Sequence, residues 1–133
     1  MVRTLSTTSR IVMGPGASQT LGAEVKARGI RRVLIVTDKG VISAGLLKTI
    51  EASLKGSGIR YGIFDGVEPD PRYEIVEECL AAARGFKAQM LIGVGGGSPM
   101  DITKVTAVML TNKPPVLQYV GIGLVPRPGL PTI

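Results

Sequence analysis

Short apolar runs alternate with amphipathic stretches along this chain. Val33-Leu34-Ile35-Val36 and Met90-Leu91-Ile92-Gly93-Val94 are almost unbroken in apolar residues, the pattern of strands covered on both faces. Arg60 to Phe64 reads as a third strand, ending at Asp65-Gly66. Between them the period changes to that of a helix. Leu21 and Val25 share a face over Ala17 to Arg28, and Leu46, Leu47, Ile50 and Leu54 form an amphipathic helix stopped by Gly56 and Gly58. From Tyr73 to Phe86 the residues Ile75, Val76, Cys79, Leu80, Ala83 and Phe86 trace one face, with Glu74, Glu77 and Glu78 where the helix dipole favours acids. Met100, Lys104, Val105, Val108 and Met109 continue at helical spacing after the last strand. At the start, Thr4 to Met13 is rich in β-branched residues and predicts a strand or hairpin, broken by Gly14-Pro15-Gly16.

Strands alternating with helices of this length predict an α/β fold, a parallel sheet with helices on both faces. The polar and glycine residues at the strand ends (Asp38, Asp65 and Gly95 to Ser98) then meet at one sheet edge, where such folds bind ligands. Residues 1–133 are expected to form one domain. Its tail, 111–133, reads as a connector, because Pro114, Pro115, Pro126, Pro128 and Pro131 leave no room for a long helix.

Composition narrows the classes. With 44% hydrophobic and 20% charged residues, the chain can bury a core and is not of the disordered type. No run is long enough to span a membrane and no secretory h-region is evident, so the cytoplasm is the expected location. Cys79 is the single cysteine and histidine is absent, which excludes an internal disulfide and a standard zinc site. Cys79, on an apolar helix face, is expected in the core, and Met90, Met100 and Met109 as ordinary packing. The net charge of +6 includes a cluster at Lys26, Arg28, Arg31 and Arg32, but no aromatic platform interleaves it. A solvated helix end explains the cluster better than a nucleic-acid surface, and no nucleic-acid partner is expected.

The candidate chemistry lies in Gly95-Gly96-Gly97-Ser98-Pro99-Met100-Asp101. A strand that enters a helix through three glycines and a serine brings bare backbone N–H groups to a helix N-terminus, where phosphate binds without a basic side chain. The usual G-x-G-x-x-G pattern with a later acid is not met: Ser98 stands at the third glycine, and no acid follows Asp101. An acid does close an earlier strand. Asp38 there can accept from both ribose hydroxyls of an adenosine and repel a 2′-phosphate, which favours NAD over NADP. Structural roles compete with these. Asp38 before Lys39-Gly40 also suits a turn or helix cap. Ser98, Pro99 and Asp101 have the form of a capping box with proline at the first helical position. The triple glycine resists a purely structural account, since each glycine costs backbone entropy on folding.

Taken together, Gly95 to Asp101 with Ile102-Thr103-Lys104 resembles the G-G-G-S-x-x-D-x-x-K signature of the iron-containing (group III) alcohol dehydrogenases. Ile35 to Gly40, Phe64 to Pro71 and Arg10 to Ala17 resemble that family in order and separation, so the likeness runs through the chain. It implies a Rossmann-like N-terminal domain for NAD(P), with the family's helical metal-binding domain outside these residues. By the resemblance, Asp38 would bind the adenosine ribose and Asp70 would sit near the adenine. Gly95, Gly96, Gly97, Ser98 and Pro99 would form the pyrophosphate turn, and Asp101 would lie toward the nicotinamide. Leu130-Pro131-Thr132-Ile133 is similar to the strand leading to a further cofactor segment. The family's metal ligands, one Asp and three His, belong to the helical domain, so iron or zinc is expected only there.

The expectation is therefore the cofactor-binding part of a metal-dependent alcohol dehydrogenase, acting on a small alcohol or aldehyde and inactive alone. Two alternatives stand beside it. One is a non-catalytic nucleotide-binding or dimerisation module, since the family's N-terminal hairpin lies near its dimer contact. The other is part of a related polyol dehydrogenase or dehydroquinate synthase-like enzyme.

Overall fold

A computed structural model describes residues 10–121 and 123–133. Its centre is β1 (Arg32–Val36), flanked in parallel by β2 (Arg60–Phe64) and β3 (Met90–Gly93), so the sheet order is β2-β1-β3. The register sets Val36 opposite Phe64 on one side and Gly93 on the other, which brings three strand ends level.

Side-chain alternation along β1 explains why the sheet is covered twice. Val33 and Ile35 enter a core with Leu21 and Val25 of α1 (Leu21–Ala27), Ile50 and Leu54 of α3 (Lys48–Gly56), and Met90 and Ile92. Leu34 and Val36 point the other way, onto Ile75, Cys79 and Ala83 of α4 (Tyr73–Phe86) and Ile102 and Met109 of α5 (Gly97–Thr111). A strand buried on both faces has to be apolar at every position, which is what the run Val33 to Val36 supplies. β2 is half-exposed, and Ile63 is 42% accessible, as at a sheet edge.

Several elements differ from expectation. The strand or hairpin expected over 4–13 lies, for residues 4–9, outside the described residues, and Arg10 to Met13 are irregular. The first helix opens as a 3-10 turn, Ala17–Thr20, before α1. A short helix, α2 (Lys39–Ser43), stands between β1 and α3. The tail contains no long helix but does not simply lead away. Asn112 Nδ2 donates to the Arg127 carbonyl at 2.9 Å and Thr111 Oγ1 to that of Pro128 at 2.7 Å, folding the segment back. Its last residues then run parallel to β3: the Leu91 N–H donates to Pro131 O, Ile133 N–H to Leu91 O, and Gly93 N–H to Ile133 O, all within 2.8–3.1 Å. No helix among the described residues is long and apolar enough to cross a membrane.

Candidate functional site

In the order β2-β1-β3, the helix after β1 (α3) covers one face of the sheet and the helix after β3 (α5) the other, so a crevice opens at the carboxyl ends between β1 and β3. A cleft of about 600 Å³ occupies it. Its walls are the turn after β1 (Asp38, Lys39, Gly40), the turn after β2 (Asp65 to Pro69) and the start of α5 (Gly96 to Pro99). A cavity of about 710 Å³ lies on the far side of the glycine turn, lined among others by Gly93, Gly95, Met100, Thr103, Lys104 and Ile133.

The three glycines are not alike. Gly95 has φ +139°, and a Cβ there would lie 2.8 Å from Pro99 Cγ and 3.3 Å from Val41 Cγ2. The chain itself requires glycine at that position. Gly96 (φ −83°) and Gly97 have no positive φ, and a Cβ on either would meet nothing within 4 Å. No internal packing demands glycine at these two, and both line the cleft.

The helix begins earlier than the capping-box reading places it. Gly96 is the N-cap of α5, Gly97 the first helical residue, and no side chain caps the end. Ser98 and Pro99 therefore stand second and third in the helix, not at the cap and first position, because Gly97 takes the first helical position and the extended Gly96 the cap. Among the described residues the N–H groups of Gly96, Gly97 and Ser98 find no backbone partner, and the first N–H to bond back is Met100, to the Gly96 carbonyl at 3.4 Å. Pro99 has no N–H to leave unpaired. Unpaired donors at the positive end of a fifteen-residue helix suit an anion.

Asp38 fills the capping role weighed from the sequence with one carboxylate oxygen and leaves the other toward the glycine turn. Its Oδ1 accepts from the Val41 N–H at 2.8 Å and caps α2. Its Oδ2 accepts no hydrogen bond among the described residues and lies 3.5 Å from where a Gly95 Cβ would project. The backbone of Asp38 also bridges to Gly66 across the cleft floor. With Asp65 and Glu68, the upper wall is acidic, and Lys39 is its one cation among the lining residues. Such a wall accepts from hydroxyl groups and disfavours phosphate, so an anionic group fits only at the helix terminus.

The structure thus brings Asp38, Gly96, Gly97, Ser98 and Pro99 to one cleft, with Gly95 packed behind them. Asp70 and Asp101 do not line it. Asp70 is exposed with φ 50°, placed by the rigid Pro69-Asp70-Pro71 turn. Asp101 faces outward and pairs with Lys104 at 3.9 Å, both side chains exposed. Met100 departs from the packing role expected of it: it is 45% exposed and borders the second cavity. Lys39, Gly40 and Glu68 lie in the stretches that carry the family resemblance but were not named as site residues, although their place after strand ends was the available signal. Cys79 is fully buried as expected, and desolvation raises its pKa to about 11, with the nearby Thr106 hydroxyl opposing the rise. Among the described residues no group of three or more His, Cys, Asp or Glu is placed to hold a metal.

The family model for iron-containing alcohol dehydrogenases matches residues 8–133. The chain belongs to that family. It is 38% identical over 127 residues to the sulfoacetaldehyde reductase of Bilophila wadsworthia, covering 96% of this chain and 33% of that protein. It is 37% identical over 122 residues to a 1,3-propanediol dehydrogenase of Klebsiella pneumoniae, covering 90% and 31%. Among solved structures, the NADH-dependent butanol dehydrogenase A of Thermotoga maritima superposes with a TM-score of 0.88 at 29% identity, covering 98% of this chain and 33% of that one. The chain spans about a third of the length of these relatives. Measured against this iron-containing alcohol dehydrogenase family, the α/β sheet with helices on both faces is the expected fold.

Proposed function

We propose that this chain binds the cofactor NAD for an alcohol–aldehyde oxidoreductase of the iron-containing family. The observation that carries the proposal is the contrast within the glycine turn. Gly95 answers a need of the chain, whereas Gly96 and Gly97 leave open space over unpaired N–H groups. Room of that kind at a helix N-terminus fits a pyrophosphate approaching the backbone closely.

In this reading the pyrophosphate rests on the N–H groups of Gly96, Gly97 and Ser98. The adenosine half lies in the 600 Å³ cleft, with its ribose hydroxyls donating to the free Oδ2 of Asp38. The acidic wall at Asp65 and Glu68 opposes an added 2′-phosphate and so selects NAD over NADP. The nicotinamide half extends past Gly95 toward the second cavity, beside Met100 and Lys104. Asp70 serves at most the outer rim of the adenine site, and Asp101 serves only through its exposed pairing with Lys104. When bound, NAD supplies the hydride acceptor, and this chain's residues hold and orient it. The catalytic metal of the family is assigned to residues outside this chain, since histidine is absent here.

Titration of the chain into NADH, followed by the fluorescence of the nicotinamide, tests the proposal. Saturable enhancement that NAD competes away is the expected result. Unchanged fluorescence at millimolar chain and NADH would overturn it.

A further inference from the structure

Thr37 was not among the candidate residues, and it is fully buried between β1 and the cleft floor. Its Oγ1 donates to the Val94 carbonyl at 2.8 Å, one residue before the glycine turn. The Val94 N–H donates in turn to the Val36 carbonyl at 2.9 Å, so both backbone polar groups of Val94 are held by consecutive residues at the end of β1. The backbone of Thr37 serves the opposite wall: its N–H donates to Phe64 O at 2.9 Å and its carbonyl accepts from the Val67 N–H at 3.3 Å. One residue therefore ties the turn after β2 to the turn after β3, and the next residue is Asp38.

We propose that Thr37 is a positioning residue for the phosphate turn, its hydroxyl fixing Val94 so that the N–H groups of Gly96 to Ser98 face the cleft. A backbone bond alone would hold β1 to β3, and a valine would fill the same volume. The hydroxyl adds a bond outside the sheet's own ladder, at the point where the ladder ends. Its loss frees the turn that receives phosphate and leaves the Asp38 side of the cleft in place. The inference rests on the cofactor reading above, and its signature is a selective loss: binding of ligands with a pyrophosphate weakens, and binding of adenosine does not.

The test compares the native chain with Thr37→Val and Thr37→Ser for ADP and adenosine binding by calorimetry, with hydrogen exchange of the Val94 amide as a ligand-free readout. Thr37→Val is expected to weaken ADP about fivefold relative to adenosine, from the loss of one neutral hydrogen bond, and to speed Val94 exchange by a similar factor. Thr37→Ser is expected to restore both. If Thr37→Val does not fold, Thr37→Cys, a weaker donor of similar size, carries the same comparison with a smaller loss. Equal weakening of ADP and adenosine, or unchanged Val94 exchange, would overturn the positioning role. Absence of ADP binding by the native chain, with Val94 exchange still faster in Thr37→Val, would instead overturn the cofactor reading and leave the brace standing as a structural one.

Discussion

Replacing Gly95 and Gly97 separately by alanine separates what the fold requires from what a ligand requires. At Gly95 the new Cβ meets Pro99 Cγ at 2.8 Å in a backbone with φ +139°. The strained conformation costs about 1–3 kcal/mol, and crowding of a packed site adds a further 1–3 kcal/mol or so. Partial relaxation of Pro99 leaves a loss of about 2–4 kcal/mol for Gly95→Ala. At Gly97 the Cβ meets nothing within 4 Å, in the first turn of α5. There alanine restricts the unfolded chain and suits the helix, so stability is unchanged or rises by up to about 0.5–1 kcal/mol. Binding should move the other way. A methyl group in the space reserved for phosphate is expected to weaken NADH at least about tenfold, or about 1.4 kcal/mol. Urea unfolding followed by far-ultraviolet circular dichroism gives the stabilities, and NADH fluorescence gives the affinities. A Gly97→Ala chain that loses several kcal/mol, or that binds NADH as well as the native chain, would refute the division of roles among the glycines.

Other substitutions probe separate links. Asp38→Asn keeps an N-cap for α2 but removes the charge; relief of a repulsion worth roughly 1.4 kcal/mol should raise the NADP-to-NAD affinity ratio about tenfold, and an unchanged ratio in competition titrations would deny Asp38 a ribose role. At Gly22 a Cβ would overlap the Ser53 carbonyl across the α1–α3 contact, so Gly22→Ala should cost about 2–3 kcal/mol in urea unfolding, and a loss under 0.5 kcal/mol would mean the helices are not so closely packed. Cys79, with its folded pKa raised to about 11 from 9.0, favours the folded state fully below pH 9. That contribution is lost as pH rises from 9 through 11, because the unfolded thiol ionises first; the native chain should lose on the order of 2–3 kcal/mol more across that range than Cys79→Ala does, and parallel pH profiles would contradict the burial argument.

Legibility from sequence followed the range of the interactions. β1 could be read from Val33 to Val36 alone, because burial on both faces leaves no polar position in the run. α2 could not, since Lys39 to Ser43 has weak helical character and depends on the Asp38 cap. The capping-box reading sets the start of α5 two residues late because Ser98 and Pro99 are good opening residues, yet Gly97 ahead of them already adopts helical geometry and Gly96 serves as the cap. Pairing of the chain end with β3 hinges on contacts between Leu91 and Thr132, remote in sequence and masked by five prolines. At the site, Asp38 and the glycines were legible through their place at strand ends. Thr37 was not, because a buried threonine in a β-branched run reads as core until its hydroxyl is seen to reach Val94.

The central claim is that NAD lies across the glycine turn with its pyrophosphate on Gly96 to Ser98. Backbone amide chemical shifts of the isotope-labelled chain, followed through an NAD titration, test it most directly. Saturable shifts are expected at Gly96, Gly97 and Ser98, joined by Asp38 and Gly66 and nearly absent along α3 and the outer face of α4. Amides of the glycine turn that stay unmoved at millimolar NAD, or shifts centred elsewhere, would contradict it.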